Sequence, residues 1–139
     1  QSRESHEHQL AKLIDIYAPE VIVLARYMRV LSDHFVDRYS EKLINIHHSF
    51  LPAFVGAAPY QQAFERGVKV IGATAHYVTA ELDAGPIIAQ DVIPVDHNFS
   101  AKQMAQAGRD VEKIVLAKAV RLVLEDRVFM HGCRTVVFS

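Results

Sequence analysis

The sequence is short of three things that would each have directed its interpretation. It has one cysteine, Cys133, in 139 residues. A single thiol closes no internal disulfide, so nothing points to an oxidising compartment. It has no apolar run long enough to span a membrane and no signal-peptide pattern. It also lacks an excess of either charge: 15 Lys and Arg stand against 16 Asp and Glu, a net charge of −1. Nucleic-acid binding calls for clustered Lys and Arg, and that balance argues against it. The expected location is the cytoplasm. Repeats, low-complexity tracts and linkers are missing too. Half the residues are hydrophobic and 22% are charged, as in an ordinary globular domain with a sizeable core.

What is present reads as alternating helices and strands. Leu10, Leu13, Ile14 and Tyr17 recur at helical spacing, predicting an amphipathic helix over 4–18 that Pro19 ends. "VIVLA", 21–25, is a short β-branched run that suits a buried strand. Ser32 can cap a short helix over 33–39, and "KLINIHH", 42–48, predicts a second strand. Pro59 opens a helix that Gly67 closes. Strands follow over 68–78 and 86–95. "SAKQ", 100–103, is a capping box. It opens a long helix with Val111, Ile114, Val115, Lys118 and Leu122 down one side. "RVFM" and "RTVVF" around "HGC" predict a terminal hairpin. The order predicts one α/β domain over 1–139, with a mainly parallel sheet and flanking helices. The first helix has no strand before it, and the chain begins "QSRES" rather than with Met. Both features are expected of a domain lacking its first strands.

Eight histidines stand out. "NIHHS" ends the strand over 42–48, where ligands of open α/β sheets bind. Asn45 and His47 are two apart, so on a strand they share a face. An amide donor and an imidazole there could reach one carbonyl oxygen, the requirement of an oxyanion site with a proton donor. On spacing alone, two polar residues satisfied by backbone or water are the commoner arrangement. Asp83, in the turn "ELDAGP", could orient His47, although a turn aspartate bonding its own backbone is the more ordinary case. His76 lies on the Val70/Thr74 face, as a core histidine or a partner to the site. No H-x-x-x-H spacing occurs, so no metal is expected, and the glycines form no G-x-G-x-x-G.

At these residues the sequence resembles a known family. "NIHHSFLPAF", followed by "GATAHYVTAELDAGPIIAQDVIPV", is similar to the catalytic core of the folate-dependent formyltransferase superfamily. That core has the form N-I-H-P-S-L-L-P and then L/V-D-x-G-P-I-I. Here His48 replaces the proline. "ARYMRVLS", "GRDVEK" and the tail "RVFMHGCRTVVF" most resemble the branch that hydrolyses formyltetrahydrofolate, and the resemblance spans nearly the whole chain. It implies a Rossmann-like formyltransferase fold and release of formate from 10-formyltetrahydrofolate, with the folate as substrate and no cofactor. By the same resemblance, Asn45 would stabilise the oxyanion, His47 would act beside it, and Asp83 would orient His47 and the attacking water. Met28, Arg29, Val30 and Leu31 would line the pterin pocket. Ala80, Glu81 and Leu82 would close its other side, and Ser49 would support the strand end. The resemblance further implies a homo-oligomer, and a longer protein with an ACT domain before this catalytic part. Ala58 and Gln61 depart from the family, which often has a basic residue and a histidine there. Transfer of formyl to an amine and folate binding without turnover are the alternatives.

Overall fold

The computed structural model describes residues 2–24, 31–48, 58–81 and 84–139. In chain order the elements are α1 (Arg3–Tyr17), β1 (Ile22–Leu24), α2 (Asp33–Arg38), β2 (Leu43–His47) and α3 (Pro59–Arg66). Then come β3 (Val70–Tyr77), β4 (Ile87–Pro94), α4 (Ala101–Leu124), β5 (Val128–His131) and β6 (Arg134–Val137). Every expected element is present within a residue or two at each end. The caps are those the sequence indicated. The Ser32 hydroxyl accepts from the Phe35 amide, Pro59 stands at the start of α3, and Gly67 closes it in the left-handed region. Ser100 and Gln103 form a reciprocal capping box. No helix among the described residues is long and apolar enough to cross a membrane.

The main sheet runs β1-β2-β3-β4, and β5 and β6 form a separate hairpin. The α/β class holds, but the described sheet is mixed rather than mainly parallel. Only β1 and β2 are parallel; β2/β3 and β3/β4 are antiparallel. The connections explain much of this. The β1–β2 link contains α2 and is long enough for a crossover. Residues 78–86 between β3 and β4 are too few for one, since a parallel return needs about a dozen or more. The short α3 does not cross the sheet. Its Ala63 packs instead with Ile71, Val95 and Met104, at the start of α4.

α4 covers one face of the sheet. Its Val111, Val115 and Ala119 pack on Ile44, Ala73, Ala75, Tyr77 and Ile88. Its buried stripe is Met104, Gly108, Val111, Val115, Ala119 and Leu122. Ile114, expected on that side, is 60% exposed: the buried stripe steps from Val111 to Val115 and leaves it to one side. Similarly, α1 turns Glu7 and Ala11 inward, with Leu10 and Ile14 beside them, and leaves Leu13 and Tyr17 exposed.

A buried carboxylate ties α1 to α2. Glu7 accepts from the Ser32 amide at 2.7 Å and from the Ser32 hydroxyl, which itself caps α2. Hydrogen bonds to a charged group are worth about 1.5–3 kcal/mol, and negative charge is favoured at a helix N-terminus. The Arg38–Asp15 ion pair between the same helices is exposed on both sides and contributes little.

Candidate active site

β2 is paired on both sides: Asn45 stands opposite Leu24 of β1 and His76 of β3. This fixes which way its side chains point. Ile44 faces α4, so Asn45 and His47, one and three residues on, face the opposite side. Both are part-buried, open enough to meet a ligand.

The register then adds neighbours that strand periodicity alone cannot supply. His47 lies opposite Thr74, and Thr74 opposite Gln90 of β4. Directly opposed side chains share a face, with Cβ atoms about 4.5–5.5 Å apart. Asn45, His47, Thr74, His76 and Gln90 therefore make one polar row across three strands, on the face away from α4. The Gln90 amide donates to the Thr74 hydroxyl at 2.9 Å. Sequence reading assigned nothing to Gln90. The available signal was parity: Thr74 and His76 are the polar residues of an otherwise apolar buried strand, but only the register joins them to β2.

His76 is 5% exposed. Its Nδ1 lies 2.8 Å from the Tyr77 carbonyl oxygen. Its buried Nε2 has no hydrogen-bond partner among the described residues. The expected core histidine is thus half satisfied, with one nitrogen left over on the polar face. Neighbouring Tyr77 points into the α4 core, and burial, then the Glu41 carboxylate, raises its phenol pKa.

His48 stands just past the end of β2. Its ring is 5.3 Å from that of His47 and 6.2 Å from that of Tyr60. Tyr60 in turn rests against Gly108, where any Cβ would overlap the phenol. A line of contact therefore runs from α4 through α3 to the strand end.

The turn after β3 begins with the Val78 amide donating to the Leu43 carbonyl at 2.9 Å, at the entry end of β2. The Thr79 hydroxyl donates to the Glu81 carbonyl at 3.1 Å. Ala80 and Glu81 are exposed. The turn returns at Gly85, packed on the Tyr77 carbonyl beside His76, and closes with the Tyr77 amide donating to the Pro86 carbonyl at 2.9 Å. Leu82 and Asp83 lie outside the described residues, as do Met28, Arg29, Val30 and Ser49. Leu31 is described, and its side chain lies in the core with Phe35, Val36 and Leu43. That leaves only its backbone for a pocket. No group of three or more His, Cys, Asp or Glu able to hold a metal occurs among the described residues.

Residues 1–120 match the family model described as formyl transferase. The chain is 61% identical over 136 residues to a formyltetrahydrofolate deformylase of Escherichia coli O6:H1 (strain CFT073), covering 98% of this chain and 49% of that protein. A crystal structure of formyltetrahydrofolate deformylase from Burkholderia mallei superposes with a TM-score of 0.92 at 53% identity, over 98% of this chain and 48% of that one. Phosphoribosylglycinamide formyltransferase from Anaplasma phagocytophilum superposes with a TM-score of 0.85 at 33% identity, over 95% of this chain and 65% of that one. The chain spans about half the length of the deformylases it matches. With that coverage and identity, and a sheet that carries Asn45 and His47 on the face opposite α4, the chain belongs to the formyl transferase family.

Proposed function

We propose that the protein hydrolyses 10-formyltetrahydrofolate to formate and tetrahydrofolate. The observation that carries this is the placement of Asn45 and His47 side by side on the open face of β2, in a chain 61% identical to a protein named for that reaction. Water oxygen attacks the formyl carbon, and the carbonyl oxygen gains the charge. Asn45 donates a hydrogen bond to that oxyanion. His47 stands beside it to deliver a proton. Asp83 orients His47 and takes the proton of the attacking water. The carbon–nitrogen bond then breaks, the folate nitrogen leaves protonated, and formate remains. Backbone at Met28, Arg29, Val30 and Leu31 lines one side of the pterin site. Ala80, Glu81 and Leu82 line the other, and Ser49 braces the strand end.

The test is formate release from 10-formyltetrahydrofolate in water alone, with Asp83→Ala as control. Release that disappears in the control is the expected result. Release that appears only when an amine acceptor is added would replace hydrolysis with formyl transfer. The 33% identity to a structure named as a formyltransferase makes that the second reading. Folate binding with no release under either condition would leave a binding module.

The same proposal places the protein in the cytoplasm, with folate as substrate rather than cofactor and no nucleic-acid or membrane partner. It also pairs the chain with further copies of itself. The terminal hairpin supports this: Phe129 and Phe138 pack edge to face yet are 53% and 59% exposed. Sedimentation at monomer mass across a wide concentration range would overturn the pairing.

A further inference from the structure

We infer that His48 is a positioning residue that fixes the plane of the His47 ring; the inference rests on the hydrolytic reading above. β2 and its pairing with β3 reach His47, which stands opposite Thr74. That ladder places the His47 backbone but not its ring, which can still turn about its own side-chain bonds. A hydrogen bond to one ring nitrogen sets the direction of an imidazole and leaves it free to rock about that line. A flat neighbour stops the rocking, and His48 is such a neighbour. Consecutive side chains of a strand point to opposite faces, so the two rings meet because the chain leaves the strand at His48. Their centroids are 5.3 Å apart and their planes 30° from parallel, within the range at which aromatic rings attract one another.

His48 has a backstop of its own. Its ring centroid lies 6.2 Å from that of Tyr60, in the first turn of α3. Tyr60 is seated against Gly108, inside the 24-residue α4, where a Cβ would overlap the phenol. Glycine is a poor helix former in such a position, and what it provides here is room for Tyr60. His47, His48 and Tyr60 are all part-buried, which limits how far any of the rings can shift. The three rings stand in file, and the file ends on α4, the helix that packs on the sheet. The imidazole that delivers the proton is then braced, through His48 and Tyr60, from a helix on the far face of its own strand.

Two substitutions separate the ring from its nitrogens. In steady-state formate release, His48→Ala should lower kcat by roughly 10-fold, with KM within about twofold, since a misplaced group costs rate while binding stays intact. His48→Phe restores a flat ring without nitrogens and should recover most of the loss. An unchanged kcat in the alanine variant would overturn the inference. So would a phenylalanine variant as slow as alanine, because an imidazole nitrogen would then be what matters. Tyr60→Leu tests the backstop: it should slow turnover when His48 is present and have little further effect in the His48→Ala background. Fully additive losses would overturn the brace. Proton NMR of the unmodified protein decides independently of activity and of whether the variants fold. Cross-relaxation between the ring protons of His47 and His48, and between those of His48 and Tyr60, is expected, and its absence overturns the inference. Lack of formate release by the unmodified protein would sink the hydrolytic reading, and the ring contacts would still report on the file.

Discussion

Asn45→Ala should lower the turnover of 10-formyltetrahydrofolate by about 10²–10³, the usual loss when one oxyanion donor is removed. The effect should fall on kcat and spare KM, because the bond strengthens only as charge develops on the formyl oxygen. The fold should hardly notice. Asn45 is paired through its backbone to Leu24 on one side and His76 on the other, and neither pairing uses its side chain. A thermal midpoint close to that of the unmodified protein is therefore expected beside the lost activity. Asn45→Asp sharpens the test. It keeps size and shape but places a carboxylate where a donor is required, so it should turn over no faster than the alanine variant. Turnover close to normal in either variant would remove Asn45 from the chemistry.

Gly85→Ala should show the opposite pattern, a loss that begins with the fold. The added methyl would overlap the Tyr77 carbonyl oxygen, a backbone atom held from two sides. The adjacent Tyr77 amide is committed to Pro86, and the carbonyl itself accepts from His76. Neither strand can move aside without breaking the β3–β4 ladder. Overpacking typically costs about 1–3 kcal/mol, and a clash with fixed backbone belongs at the upper end. At that cost the melting temperature should fall by roughly 10 °C. Differential scanning calorimetry would check this. An unchanged midpoint would mean that the turn shifts freely, and that Gly85 does not fix the position of His76.

The sequence made the local structure readable and left the assembly open. Periodicity and end signals depend on neighbours in the chain, so the helices, their caps at Ser32 and Ser100, and the strands were legible. So was the shared face of Asn45 and His47, which follows from strand parity alone. Strand sense was not, because the order of helices and strands suggested a mainly parallel sheet, whereas α3 packs on the start of α4 without crossing the sheet. The inward faces of α1 and α4 were only partly legible. Leu13 and Ile114 have the right spacing, but the partner surface decides which residues are covered. The row from Asn45 to Gln90 required a register between strands, and register is settled by turns and packing far from any one motif. The position of Asp83 relative to His47 rests on the family resemblance alone.

The polar row also bears on how the site can move. Asn45, Thr74 and His76 are spaced by ladders on both sides of their own strands. None can swing away by itself, and no subset of the row can open while the rest stays closed. Local opening of this region therefore costs nearly as much as unfolding the whole sheet. On the proposed hydrolytic reading, admission of substrate and departure of formate would fall to the turns, with the row between β2 and β4 keeping its spacing. Durability and reactivity here have one origin, and a change that loosens the sheet will blunt the site before any residue in it has been altered.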